Sequence, residues 1–110
     1  METIRIKFQF EIPINFTGLV IWPNNDKEWF VEGKYHRLDG PACECADGSK
    51  FWYVEGKRHR LDGPAIEWAD GSKFWFVESK VLTFEQFWKQ MKDTEYAPKI
   101  MAYMLGAKSK

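Results

Sequence analysis

A mainly β protein closed by one or two C-terminal helices is the fold class this sequence predicts. Its body is an antiparallel meander of β-hairpin repeats of about 23 residues, preceded by an N-terminal strand. Three observations lead there. The chain aligns with itself on a shift of 23 residues, Asp-Gly turns separate short apolar runs, and alternation gives way to helical spacing after residue 83. The 110 residues suit one domain: a strand and an eroded half-repeat over 3–20, hairpin repeats over 21–80 and a helical cap over 83–106.

The elements follow in order. In "TIRIKFQFEI" (3–12), Ile4, Ile6, Phe8, Phe10 and Ile12 alternate onto one face of a strand. In "FTGLVIW" (16–22), Val20 and Trp22 take the places that Cys43 and Cys45 hold one unit later. The full units are "IWPNNDKEWFVEGKYHRLDGPA" (21–42), "ECADGSKFWYVEGKRHRLDGPA" (44–65) and "EWADGSKFWFVESKVLTFEQFW" (67–88). Trp29, Trp52 and Trp75 coincide, as do Val31, Val54 and Val77. Each unit holds two short apolar runs around Asn24-Asn25-Asp26, Asp47-Gly48-Ser49 or Asp70-Gly71-Ser72. Asp, Asn and Gly tolerate the positive φ of tight hairpin turns, so each pair of runs reads as a hairpin. Thr83 with Gln86 reads as a capping box, followed by Phe84, Phe87, Trp88 and Met91 at helical spacing. A second helical stretch over about 95–105 brings Tyr96, Ile100, Tyr103 and Met104 to one side.

Sixteen basic and sixteen acidic side chains cancel, which leaves no bulk field for nucleic acid or an anionic membrane. No apolar run approaches the ~20 residues of a membrane span, and the alternating N-terminus lacks the apolar core of a signal peptide. A cytoplasmic protein is expected. Cys43 and Cys45 sit two apart on one strand, roughly 6.5–7 Å from each other, at or beyond comfortable disulfide reach. They read as buried, unlinked thiols, and no metal or cofactor is expected.

Alternation also separates two faces. Trp52 and Val54 point one way and form the inner face; Phe51 and Tyr53 point the other way. The opposite face carries Phe30, Tyr53, Phe74 and Phe76 among Glu44 and Glu67 and is too apolar to be simply wet. One helix over 83–93, about 16 Å long, cannot cover six or seven strands ~4.8 Å apart. Those six residues are therefore the candidate partner surface, for another protein or for a second copy. The competing outcome is that both helices fold across this face and make it core.

"HRLDGPA" occurs at 36–42 and again at 59–65. His36 with Asp39, and His59 with Asp62, have the chemistry of an acid–base pair. Yet an enzyme needs one constellation of converging residues, whereas these are two equivalent corners. As structure, Asp39-Gly40-Pro41 makes a turn, Arg37 pairs with a carboxylate and stacks on a Trp, and His36 ties the corner to the next unit. The pattern is lost at Leu82-Thr83-Phe84-Glu85, where the chain turns helical.

The stretch "GKYHRLDGPACECADGSKFWYVEGKRHRLDGPAIEWADGSKFWFV" (33–77) resembles the MORN-like repeat arrays of small proteins from tailed phages and large DNA viruses. The ending "VLTFEQFW" (81–88) is similar to the way those arrays pass into a terminal helix. The resemblance implies a viral protein with a binding role and carries over no catalytic residue. The leading expectation is a phage-type accessory protein that binds a host protein and inhibits a host enzyme or defence factor. A second is a binder of a nucleotide signal, with His36, Arg37, His59 and Arg60 on phosphates and an aromatic ring on the base. A hydrolase or nuclease using His and Asp is the third and least favoured.

Overall fold

Apolar residues at every second position, broken by tight turns, build a mixed β-sheet with two helices at its C-terminal end. The structure is a computed structural model and describes residues 1–106. β2 (Gly18–Ile21) pairs antiparallel with β3 (Lys27–Val31), β5 (Cys43–Glu44) with β6 (Lys50–Phe51), and β9 (Ile66–Glu67) with β10 (Lys73–Val77). Further ladders join β3 to β5 and β6 to β9. Registers recur at a fixed spacing: Val20 lies opposite Glu28, Cys43 opposite Phe51 and Ile66 opposite Phe74.

Three tight returns follow. β4 (Lys34–Tyr35) folds back on β3, β8 (Lys57–Arg58) on β7 (Tyr53–Val54), and β11 (Lys80–Leu82) on β10. β7 and β8 form a separate two-stranded sheet. Each return turns on two consecutive residues of positive φ: Glu32 and Gly33, Glu55 and Gly56, Glu78 and Ser79. Such a turn matches the right-handed twist of the strands it joins. Gly33, Gly56 and Ser79 donate their N–H groups to the carbonyls of Phe16, Tyr35 and Arg58, at 2.8–2.9 Å, so the first turn is bonded to the N-terminal segment and the other two to the return before them. At the opposite margin, Asp26 Oδ1 accepts the Ala46 N–H at 2.7 Å and Ser49 Oγ accepts the Ala69 N–H at 2.9 Å. That bond accounts for Ser49, a buried polar residue.

The N-terminus departs from the expected strand over 3–12. Only Thr3–Arg5 is a strand, β1, and it runs parallel to β2, so the sheet is not antiparallel throughout. The cause is Glu11, whose carboxylate accepts the N–H groups of Lys7 and Phe8 at 2.8 and 2.7 Å and winds Gln9–Glu11 into a 3-10 turn. Phe8 and Phe10 stack on each other in solvent instead of facing the core with Ile6. The segment then crosses the sheet, and Ile6, Phe16 and Val20 form one core cluster with Trp22 and Phe30 against it.

Cross-strand partners share a face. One row therefore holds Val20, Glu28, Cys43, Phe51, Ile66 and Phe74; the opposite face holds Lys27, Glu44, Lys50, Glu67 and Lys73. The helices α1 (Phe84–Met91) and α2 (Ala97–Gly106) pack on the second of these faces, against Trp75, Val77, Leu61 and Leu82. Thr83 caps α1 as expected: its Oγ1 accepts the Gln86 N–H at 3.1 Å, and Gln86 Oε1 accepts the Thr83 N–H at 2.9 Å. Phe87 and Ile100 are buried completely. Neither helix is long and apolar enough to cross a membrane.

Candidate functional site

The two HRLDGPA corners arch over the tryptophan face. Arg37 donates Nε to Asp39 at 3.0 Å and Nη1 to Glu44 at 2.9 Å and to the Pro41 carbonyl at 3.1 Å. Its guanidinium lies 3.9 Å from the centre of the Trp29 ring. Arg60 repeats the set with Asp62, Glu67 and Pro64 at 2.7, 3.0 and 3.0 Å, lying 3.8 Å over Trp52. A glycine lies beneath each arginine: a Cβ on Gly63 would stand 2.7 Å from the Arg60 guanidinium carbon and one on Gly40 3.0 Å from that of Arg37, so a larger residue at Gly63 would push the Arg60 guanidinium aside. In the third position Thr83 replaces the arginine, and Phe84 and Phe87 pack on Trp75 at 5.2 and 6.4 Å.

His36 and His59 face the adjoining turns. Nδ1 of His36 accepts the Glu55 N–H and Nδ1 of His59 accepts the Glu78 N–H, both at 2.9 Å. Thr17 Oγ1 does the same for the Glu32 N–H at 2.8 Å. The aspartates are bonded to the arginines, and among the described residues no hydrogen bond joins His36 to Asp39 or His59 to Asp62. The geometry is that of a repeated structural corner.

A cavity of about 400 Å³ opens between the corners and brings Arg37, His59 and Arg60 together with Trp52, Tyr96 and Lys99. His36 is not among its walls. Lys99 Nζ closes on Asp62 at 2.8 Å. Burial raises the Asp62 carboxyl, but the hydrogen bonds from Lys99 and Arg60 outweigh it and leave it below its ordinary value. Each guanidinium is already neutralised by two carboxylates, which weakens the cavity as a phosphate cradle.

The aromatic face is divided. Phe30 is half-buried, packed edge-on against Phe16 at 6.4 Å and against Tyr35 at 4.9 Å beneath the N-terminal segment. Tyr53 packs tilted against Tyr35 at 5.1 Å, and Phe76 has Arg58 5.4 Å from its ring. Phe74 remains open, 45% exposed. Trp68, equally exposed, packs on Phe51 at 5.1 Å and belongs to the same surface, which the sequence reading did not include. Its signal was present: Trp68 lies two residues beyond Ile66 and so alternates onto the same face. Glu44 and Glu67 do not flank these aromatics. They pair with lysines on the opposite face and bind the corner arginines. The alternative in which the helices cover the aromatic face is likewise set aside, because they lie on Trp75, across the sheet from Phe74.

Cys43 is buried, Cys45 half-buried, and both are free. Burial, then the Glu28 carboxylate, pushes the Cys43 thiol up to about 12. Among the described residues no group of three His, Cys, Asp or Glu side chains is placed to hold a metal ion. Compared with known proteins, the chain matches no protein-family model, no curated protein and no solved structure.

Proposed function

We propose that the chain is a protein-binding module whose contact surface is the open half of the aromatic face, centred on Trp68 and Phe74. The observation that carries this reading is that both side chains are 45% exposed on one sheet face, on which Val81, opposite Phe76, is 59% exposed. Large aromatics left open in this way are enriched at interface centres. The recurrence of the arginine corners and turn bonds supports a MORN-like array of hairpin repeats, a class that mediates association. By that resemblance we read a phage-type accessory protein that acts on a host protein in the host cytoplasm, inhibiting an enzyme or defence factor. No catalysis is assigned to it.

The test is capture of a host protein from lysate by the wild type and by the double variant Trp68→Ser, Phe74→Ser. The reading expects the double variant to fold and to lose the partner; retention of the partner by the double variant would overturn it. The alternative, a nucleotide-signal binder, draws support from the cavity that joins Arg37, His59 and Arg60 to Trp52. A nucleotide that raises the melting temperature of the wild type, but not of Arg37→Gln, would favour that alternative.

A further inference from the structure

A second cavity, of about 560 Å³, lies on the other half of the aromatic face, between the N-terminal segment and the first return. Ile12, Trp22, Phe30 and Tyr35 line it together with Glu28. The Glu28 carboxylate is half-buried and held in place: Oε1 accepts the Trp22 indole N–H at 2.9 Å and Oε2 accepts the Tyr35 hydroxyl at 3.1 Å. Two neutral donors leave the carboxylate with acceptor capacity to spare and with its charge uncompensated. Among the described residues no cation forms an ion pair with it, although Asp39, Glu44, Asp62 and Glu67 all have one. Lys34 stands at the rim, but its stem runs over Gly56, 3.7–3.8 Å from where a Cβ there would be.

We infer that this cavity is a binding site for an alkylated ammonium group. A fixed carboxylate supplies the countercharge, and the apolar walls of Ile12, Trp22, Phe30 and Tyr35 take the alkyl groups. Those walls cannot rehydrate a strongly solvated ion, so a metal ion or a bare ammonium loses more on entry than a methylated one. The volume accommodates a small free ligand or a modified side chain on a peptide. The ligand chemistry is the same for both sources. The site is separate from the Trp68–Phe74 surface and does not depend on its role.

The test uses the full chain and follows the Trp22 indole N–H by NMR during titration with choline chloride, against sodium chloride at equal ionic strength. A saturable shift is expected, and 3,3-dimethylbutan-1-ol, the neutral carbon analogue of choline, is expected to bind at least ~tenfold more weakly. Glu28→Gln keeps an oxygen acceptor for Trp22 and should lose choline binding by a similar factor, whereas Lys34→Met should tighten it. A peptide carrying trimethyl-lysine, compared with its unmodified form and with choline, identifies which source binds better. No saturable shift, or equal binding of choline and its neutral analogue, overturns the assignment. The same holds if folded Glu28→Gln binds as the wild type does; should that variant fail to fold, the comparison in the wild type decides.

Discussion

Nδ1 of His59 accepts the backbone N–H of Glu78 at 2.9 Å, across 19 residues of chain. The bond holds a turn whose two central residues both have positive φ, and His36 makes the same bond to Glu55. His59→Ala should therefore cost about 1 kcal/mol, the net value of one hydrogen bond whose donor borders water. Urea unfolding measures it. An unchanged midpoint would show that the histidine does not hold the turn.

Ser79 has φ 69 where the two earlier turns carry glycine at φ 79. A left-handed backbone costs a non-glycine residue roughly 1–2 kcal/mol. Glycine gives back part of that gain, roughly 0.4–1 kcal/mol, through its freer unfolded chain. Ser79→Gly should stabilise by about 0.5 kcal/mol, raising the melting temperature by ~2–4 °C. A fall in melting temperature would mean that the serine side chain makes a contribution outweighing the strain.

Arg60 is the more buried of the two corner arginines, its side chain 12% exposed against 23% for Arg37. Lysine at this position would keep the charge but lose the planar fork that reaches Asp62, Glu67 and the Pro64 carbonyl at once. Arg60→Lys should destabilise by about 2 kcal/mol, and Arg37→Lys by less. Equal losses would indicate that burial does not set the strength of these corners.

Much of this was legible in the sequence. The 23-residue recurrence located both corners, and Thr83 with Gln86 marked the start of α1. The arginine-to-Trp stacking followed from residue types alone. Three features were not legible. The strand predicted over 3–12 ends at Arg5 because Glu11, a local acceptor, outcompetes alternation. Glu44 and Glu67 lie across the sheet from the aromatics, because a side chain's face depends on which strands pair. The Glu28 cavity needs Ile12, Trp22 and Tyr35 to converge from segments that no spacing rule connects.

Cys43 should resist labelling at pH 8, since its thiol is held near 12 and only the thiolate reacts. Its reactivity should rise only as pH approaches that value or when denaturant opens the core. Cys45, half-buried and also raised by burial, should label faster than Cys43. Mass spectrometry of partially labelled protein separates the two. Faster labelling of Cys43 would contradict its place in the sheet.

Phe30 and Phe74 began as members of one candidate surface, and the structure gives them opposite consequences. Phe30 contacts Phe16 and Tyr35 under the N-terminal segment, so removing its ring opens a hole in a packed cluster. Phe30→Ser should cost about 3 kcal/mol, at the low end for losing a core aromatic because the ring is only half-buried. Phe74 is 45% exposed and opposite Ile66 on an open face, so Phe74→Ser should cost under ~1 kcal/mol and leave the fold intact. Thermal melting of the two variants side by side makes the comparison. Partner capture, or sedimentation if the partner is a second copy, should then fail for folded Phe74→Ser. If Phe74→Ser unfolds the chain while Phe30→Ser does not, the open half of the face is the true core and the contact surface lies under the N-terminal segment.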